Sequence, residues 1–105
     1  MENTKIEAVD FQKDIIYFPY RVLKAMYFDE PIYFLEYEPY VGPVTMQYLP
    51  DGGIQSLYAG FIIVKVHNGF MKVTKLYYQN QSFTSQEFIL KYPNLMNQVF
   101  QNGTL

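Results

Sequence analysis

The sequence predicts an α+β domain, mainly β, in which about five antiparallel strands curl into a small barrel with peripheral helices. Three observations carry that expectation. From Pro31 onward apolar and aromatic residues alternate with polar ones at a period of two, the pattern of half-buried strands. Asn68-Gly69 stands between two such runs, and Asn-Gly is the favoured centre of a type I′ hairpin turn because both positions need positive φ. The 105 residues include 11 Tyr and 9 Phe, the composition of a small domain that fills its core and strand surfaces with aromatics.

A chain of this length fits one domain and buries roughly 65% of the surface its unfolded form exposes, enough for a core without staples. The domain is expected over residues 9–105, after a polar, frayed segment at 1–8. Asp10 can cap a short first turn. Pro19-Tyr-Arg-Val-Leu-Lys-Ala-Met26 then reads as a helix with proline at its first position, and Val22, Leu23 and Met26 form an apolar face to pack on a sheet. Ile32 to Glu38 and Val44 to Leu49 read as a hairpin joined by Glu-Pro-Tyr-Val-Gly-Pro. Pro50-Asp-Gly-Gly53 punctuates the chain before a short strand from Ile54 to Tyr58.

The second hairpin is Gly60 to Val66 against Phe70 to Tyr77. A two-residue Asn68-Gly69 loop pairs His67 with Phe70, Val66 with Met71, Lys65 with Lys72 and Val64 with Val73. Ile62, Val64, Val66, Met71 and Val73 then share one face, while Lys65 and Lys72 meet on the other. Lys75 has the parity of Met71 and Val73, so either a bulge follows Val73 or Lys75 snorkels at the sheet edge. Thr84-Ser-Gln-Glu87 is a capping box, opening a helix that carries Phe88, Ile89 and Tyr92 and stops at Pro93. A further turn runs from Leu95 to Phe100 and ends by Gly103.

Composition excludes several classes. Hydrophobic residues make up 50% and charged residues 17%, unlike a disordered chain. The longest apolar stretches, such as Phe61 to Val64, fall far short of the ~20 residues that span a membrane, so no membrane association is expected. No basic segment followed by a long apolar run opens the chain, so no secretory signal is expected. Without cysteine there is no disulfide framework, thiolate zinc site or cysteine nucleophile, and a cytoplasmic location is expected. The Asn80-Gln-Ser and Asn102-Gly-Thr sequons have no meaning without secretion.

Net charge is −2, unlike a dedicated nucleic-acid binder, but it divides unevenly. Residues 1–51 hold nine of the ten acids against four bases, a net −5, whereas 52–105 hold Glu87 against Lys65, Lys72, Lys75 and Lys91, a net +3. No catalytic constellation is visible. The single histidine, His67, has no metal-binding companion, and neither Asp29-Glu30 nor Glu36-x-Glu38 has a histidine or nucleophile attached by motif. Pro50-Asp-Gly-Gly53 is too short for a phosphate loop and leads into a strand. No metal and no cofactor are expected.

One resemblance goes further. Gly53-Ile54, Gly60-Phe-Ile-Ile-Val64, Asn68-Gly69, Met71-Lys-Val73, Lys75-Leu76 and Phe83-Thr-Ser-Gln-Glu87-Phe88-Ile89 follow one another at a spacing that resembles the C-terminal domain of methionyl-tRNA formyltransferase and related formyltransferases. Upstream, Val9-Asp10-Phe11, Leu23-Lys24-Ala25-Met26 and Gly42 to Tyr48 resemble the same family more weakly. The resemblance implies an oligonucleotide/oligosaccharide-binding-like (OB-like) barrel. In that family the domain is joined to a catalytic domain that holds the chemistry, and its basic surface helps hold tRNA. This chain departs by its acidic total, by Lys24 in place of the family's arginine, and by Tyr27-Phe-Asp-Glu-Pro31 at the entry to the first strand.

The leading expectation is therefore a non-catalytic binding or docking module that associates with a protein partner or with itself, through exposed Tyr27, Phe28 and Tyr33. The alternative is RNA, tRNA or single-stranded nucleic-acid binding, with Lys65, Lys72, Lys75 and Lys91 on phosphates and Tyr77 or Tyr78 stacking a base. A small carboxylate-dependent enzyme is the least favoured reading.

Overall fold

The computed structural model describes residues 5–13, 21–43, 49–56, 60–95 and 98–103. The elements are β1 (Lys5–Ala8), β2 (Arg21–Tyr27), β3 (Glu30–Tyr40), β4 (Ile54–Ser56), β5 (Ile62–Val66), β6 (Gly69–Tyr78), β7 (Gln81–Thr84), α1 (Ser85–Lys91) and β8 (Gln101–Asn102). They form one sheet in the order β1-β2-β3-β6-β5-β4, with β7 also on β6 and β8 also on β2. The fold is mainly β, as expected. Among the described residues, however, the sheet is open rather than closed into a barrel, it has eight strands rather than about five, and one helix accompanies it. It is also mixed, because β1 runs parallel to β2.

β3 and β6 are the long central pair, antiparallel from Ile32↔Tyr78 to Tyr40↔Phe70. Both strands carry an irregularity at one level, where pairing passes from Phe34↔Leu76 through Glu36↔Lys75 to Tyr37↔Val73. Phe34, Leu76 and Val73 are buried and Tyr37 packs on the core, so inward positions lie three apart on each strand at this point. Side-chain alternation reverses on both strands together and the overall register survives. The bulge after Val73 therefore explains the exposure of Lys75, without snorkelling. It also divides β6 between partners: residues 69–73 pair with β5 and 75–78 with β7.

The β5–β6 hairpin forms with a different turn from the one expected. Its partners are Val66↔Gly69, Lys65↔Phe70, Val64↔Met71, Ile63↔Lys72 and Ile62↔Val73, so the loop is His67-Asn68 rather than Asn68-Gly69. The shift is two residues and preserves which side chains face the core. It separates Lys65 from Lys72, removing the like-charge pair. The left-handed pairs characteristic of a type I′ turn occur elsewhere, at Phe28-Asp29 (φ 53 and 62) between β2 and β3 and at Gln79-Asn80 (φ 50 and 66) between β6 and β7.

Residues 21–26, expected to be helical, are strand. Leu23, Ala25 and Tyr27 are buried while Val22, Lys24 and Met26 are half-exposed, a period of two. The apolar residues satisfy helix and strand spacing equally, and pairing of β2 with β3, β1 and β8 decides between them. Lys5–Ala8, expected to fray, forms β1, held to β2 by its ladder and by an ion pair of Glu7 with Arg21. Asp10 caps no helix among the described residues. Its Oδ1 accepts from the Gln12 amide at 3.0 Å and its carbonyl from the Lys13 amide at 3.2 Å, making a local turn. Of the turn expected over 95–100, the described residues show the Gln98 amide donating to the Leu95 carbonyl at 3.0 Å, after which Val99 bridges to Gly53 and β8 follows; residues 96 and 97 lie outside the described residues. The expected Val44–Leu49 strand falls largely outside the described residues, as does the end of the Ile54–Tyr58 strand.

The capping box is present in both directions: the Glu87 amide donates to Thr84 Oγ1 at 3.2 Å, and the Thr84 amide to Glu87 Oε1 at 2.9 Å. Phe88 of α1 enters the core. Gly52, at φ 86, and Gly103 admit no side chain, because a Cβ there meets the carbonyls of Phe100 and Lys24 respectively. Thr84→Ala should cost about 1 kcal/mol through loss of the cap. Gly103→Ala should cost more, since its methyl group collides with main chain that a ladder holds in place. Urea midpoints should therefore fall in the order wild type, Thr84→Ala, Gly103→Ala.

Candidate functional site

The sheet order sets acid-rich β3 against lysine-bearing β6. Lys72 pairs with Glu38 at 2.9 Å and Lys75 with Glu36 at 3.6 Å. Lys65 pairs with Asp51 at 3.2 Å and also donates to the Val66 carbonyl at 2.6 Å. Lys72 further lies 4.6 Å from the centre of the Phe61 ring. Lys91 differs, donating to Gln81 Oε1 at 3.2 Å with its ammonium 5.8 Å from the Phe83 ring centre. The four lysines thus do not form the open basic face expected of them. Each such pair is worth only ~0.2–1 kcal/mol, but together they neutralise most of the positive half of the chain.

The expected aromatic roles are redistributed. Tyr78 is 3% exposed and its hydroxyl donates to the Tyr27 carbonyl at 3.1 Å, so it cannot stack a base. Tyr27 is 2% exposed, at the centre of rings contributed by Phe28, Tyr78, Phe88, Tyr92 and Phe100 at 4.8–6.3 Å. Phe28 is 64% exposed at a turn tip. Tyr33 lies on the opposite face from Tyr27, so Tyr27, Phe28 and Tyr33 do not make the patch expected. Strand alternation sends Tyr27 inward and Tyr33 outward, while Phe28 at the turn sets its ring 4.8 Å from that of Tyr27 and leaves most of its surface to solvent.

The structure instead brings Tyr33 beside Tyr77, with ring centres 6.1 Å apart and planes at 52°. A row of register partners crosses four strands on this outer face: Lys24 of β2, Tyr33 of β3, Tyr77 of β6 and Ser82 of β7. Met26 opposite Pro31 flanks it. Toward β4 the same face is closed, for Ile63 and its partner Gln55 are fully buried. The accessible aromatic part of the outer face is therefore the half-exposed Tyr33–Tyr77 strip, beside the exposed and paired Glu36, Glu38 and Lys75. Reading residues 21–26 as helix hid this row, because Lys24 and Met26 join it only if β2 is a strand.

Little of this geometry is suited to proton transfer. Burial, then Tyr78 and Tyr92 nearby, pushes the Tyr27 phenol up to about 12. Burial, then Tyr92 and Glu30, raises Tyr78. Both phenols hold their protons at neutral pH. A cavity of about 260 Å³ beside Glu36, Tyr37, Glu38 and Thr74 presents carboxylates already bound to lysines. Among the described residues no cluster of three His, Asp or Glu side chains is arranged around a metal position, and no helix is long and apolar enough to cross a membrane. No protein-family model matches the chain, and no curated protein matches it.

The raised Tyr27 value has a stability consequence. Its folded-state pKa lies above the unfolded value of 10.0, so the folded state retains the proton more strongly. The resulting stabilisation is complete below about pH 10 and is lost as pH rises toward about 12. Denaturant midpoints measured across that window should fall more steeply for the wild type than for Tyr27→Phe.

Proposed function

We propose that this chain is a non-catalytic docking module for a protein partner, bound across the outer face of the sheet around Tyr33 and Tyr77. The observation that carries the reading is the pairing of Lys65, Lys72 and Lys75 with Asp51, Glu38 and Glu36. A polyanion must displace carboxylates from these lysines and approach Glu36 and Glu38. A protein surface has no such cost and gains by covering the half-exposed tyrosines and Met26, which suit the desolvated centre of an interface with a polar rim. The resemblance to the formyltransferase C-terminal domain supports the non-catalytic part of this reading, since in that family the chemistry belongs to a separate catalytic domain. We assign the module to a reducing cytoplasm, which suits a chain without cysteine.

A second reading rests on the same strip: Tyr33 and Tyr77 beside Lys24 are a platform on which two bases of a single strand can stack. The two separate cleanly in experiment. Wild-type protein and Tyr33→Ser/Tyr77→Ser are immobilised in parallel and challenged with lysate, with and without nuclease. The docking reading expects a partner retained only by the wild type and insensitive to nuclease. Nuclease-sensitive retention, or oligonucleotide binding that weakens with salt by about 0.7 log units per phosphate per log unit, would transfer the function to the second reading. Both substitutions lie outside the core, so the denaturation midpoint should change little.

A further inference from the structure

Two surface features are left unmatched by the ion pairs above, and they complement each other. The first is the tip of the β2–β3 hairpin. Phe28 and Asp29 adopt the left-handed φ values of 53 and 62, where a bulky side chain is strained and Asn-Gly would be relaxed. The strained residue is nevertheless an aromatic 64% exposed to solvent. Beside it Asp29 and Glu30 are exposed and have no cationic partner among the described residues. The tip is an aromatic knob in an acidic setting.

The second feature lies on α1. Leu90 is 82% exposed and, with Ile89, Gln86 and Gly60, lines an apolar groove of about 280 Å³. Lys91 adjoins it, and unlike Lys65, Lys72 and Lys75 it has no carboxylate partner among the described residues. The ring of Tyr27 lies 5.9 Å from that of Phe88 and 6.3 Å from that of Tyr92, which puts the hairpin tip and α1 at one end of the molecule.

We propose that the chain forms a two-fold dimer, in which Phe28 of each copy enters the Leu90 groove of the other while Asp29 and Glu30 face Lys91. Two patches at one end of a molecule allow a closed, isologous contact in which each is used twice. The charge split of the sequence supplies the complementarity: the acids belong to the net −5 half and the lysine to the net +3 half. This contact is separate from the Tyr33–Tyr77 face, so it stands or falls independently of the partner proposed there.

Sedimentation equilibrium of the full chain tests it. The wild type should show a monomer–dimer equilibrium that weakens with salt, and Phe28→Gly should weaken it about tenfold or more while the melting temperature of the monomer changes little, since relief of the φ strain offsets the lost edge contact with Tyr27. Lys91→Glu alone and Asp29→Lys/Glu30→Lys alone should each be monomeric. An equimolar mixture of these two variants should dimerise, because the reversed tip of one meets the reversed helix of the other and the remaining contact is native. A wild type that stays monomeric up to ~1 mM, dimerisation indifferent to Phe28→Gly, or a mixture that remains monomeric would each overturn the proposal.

Discussion

The β3–β6 pairing constrains more of this structure than any other contact. Both strands must bend to remain joined to different neighbours, and both do so at Glu36 and Lys75, where inward alternation slips by one residue on each side. A slip on one strand alone would turn that strand's core residues to solvent. Because the two slips coincide, Phe34 and Leu76 stay inside on one side of the bulge and Tyr37 and Val73 on the other. The same point is where β6 exchanges β5 for β7, so the connection to α1 and its Phe88 follows from it.

That pairing also sets the surface chemistry. Acids and lysines that are far apart in sequence become opposite neighbours, and the charge asymmetry between the two halves of the chain is largely cancelled across one ladder. The same ladder sets Tyr33 opposite Tyr77. A charged strip and an aromatic strip thus lie side by side on one face. One is internally satisfied, while the other keeps accessible ring surface, and this difference is why the docking proposal rests on the tyrosines.

The interior shows the complementary use of aromatics. Tyr27 is surrounded by rings in edge-on and tilted arrangements, which the ring quadrupole favours over face-to-face stacking. The Tyr78 hydroxyl meets its hydrogen-bonding need on the Tyr27 carbonyl. With no tryptophan in the sequence, tyrosine and phenylalanine supply the large core residues of this end.

The sequence alone determined what depends on neighbours along the chain. Alternation in 62–66 and 70–73 specified the faces of β5 and β6, and Thr84 with Glu87 specified the start of α1. Both are local: a strand's period and a cap are set within about four residues. The tertiary structure decided what local rules leave degenerate. Val22, Leu23 and Met26 make a helical face and Leu23, Ala25 and Tyr27 a strand face, and only the partners on both sides made residues 21–27 into β2. Asn68-Gly69 suits a type I′ turn, yet the turn formed one residue earlier, a shift that leaves the core faces unchanged. Phe28 and Gln79 took left-handed conformations that their side chains do not favour, each followed by a residue that tolerates them, Asp29 and Asn80, because the paired strands leave two residues to reverse direction. The candidate surfaces belong to this second group. Whether a tyrosine or lysine is buried, paired or open depends on which strand lies beside it, and strand order is a property of the whole chain.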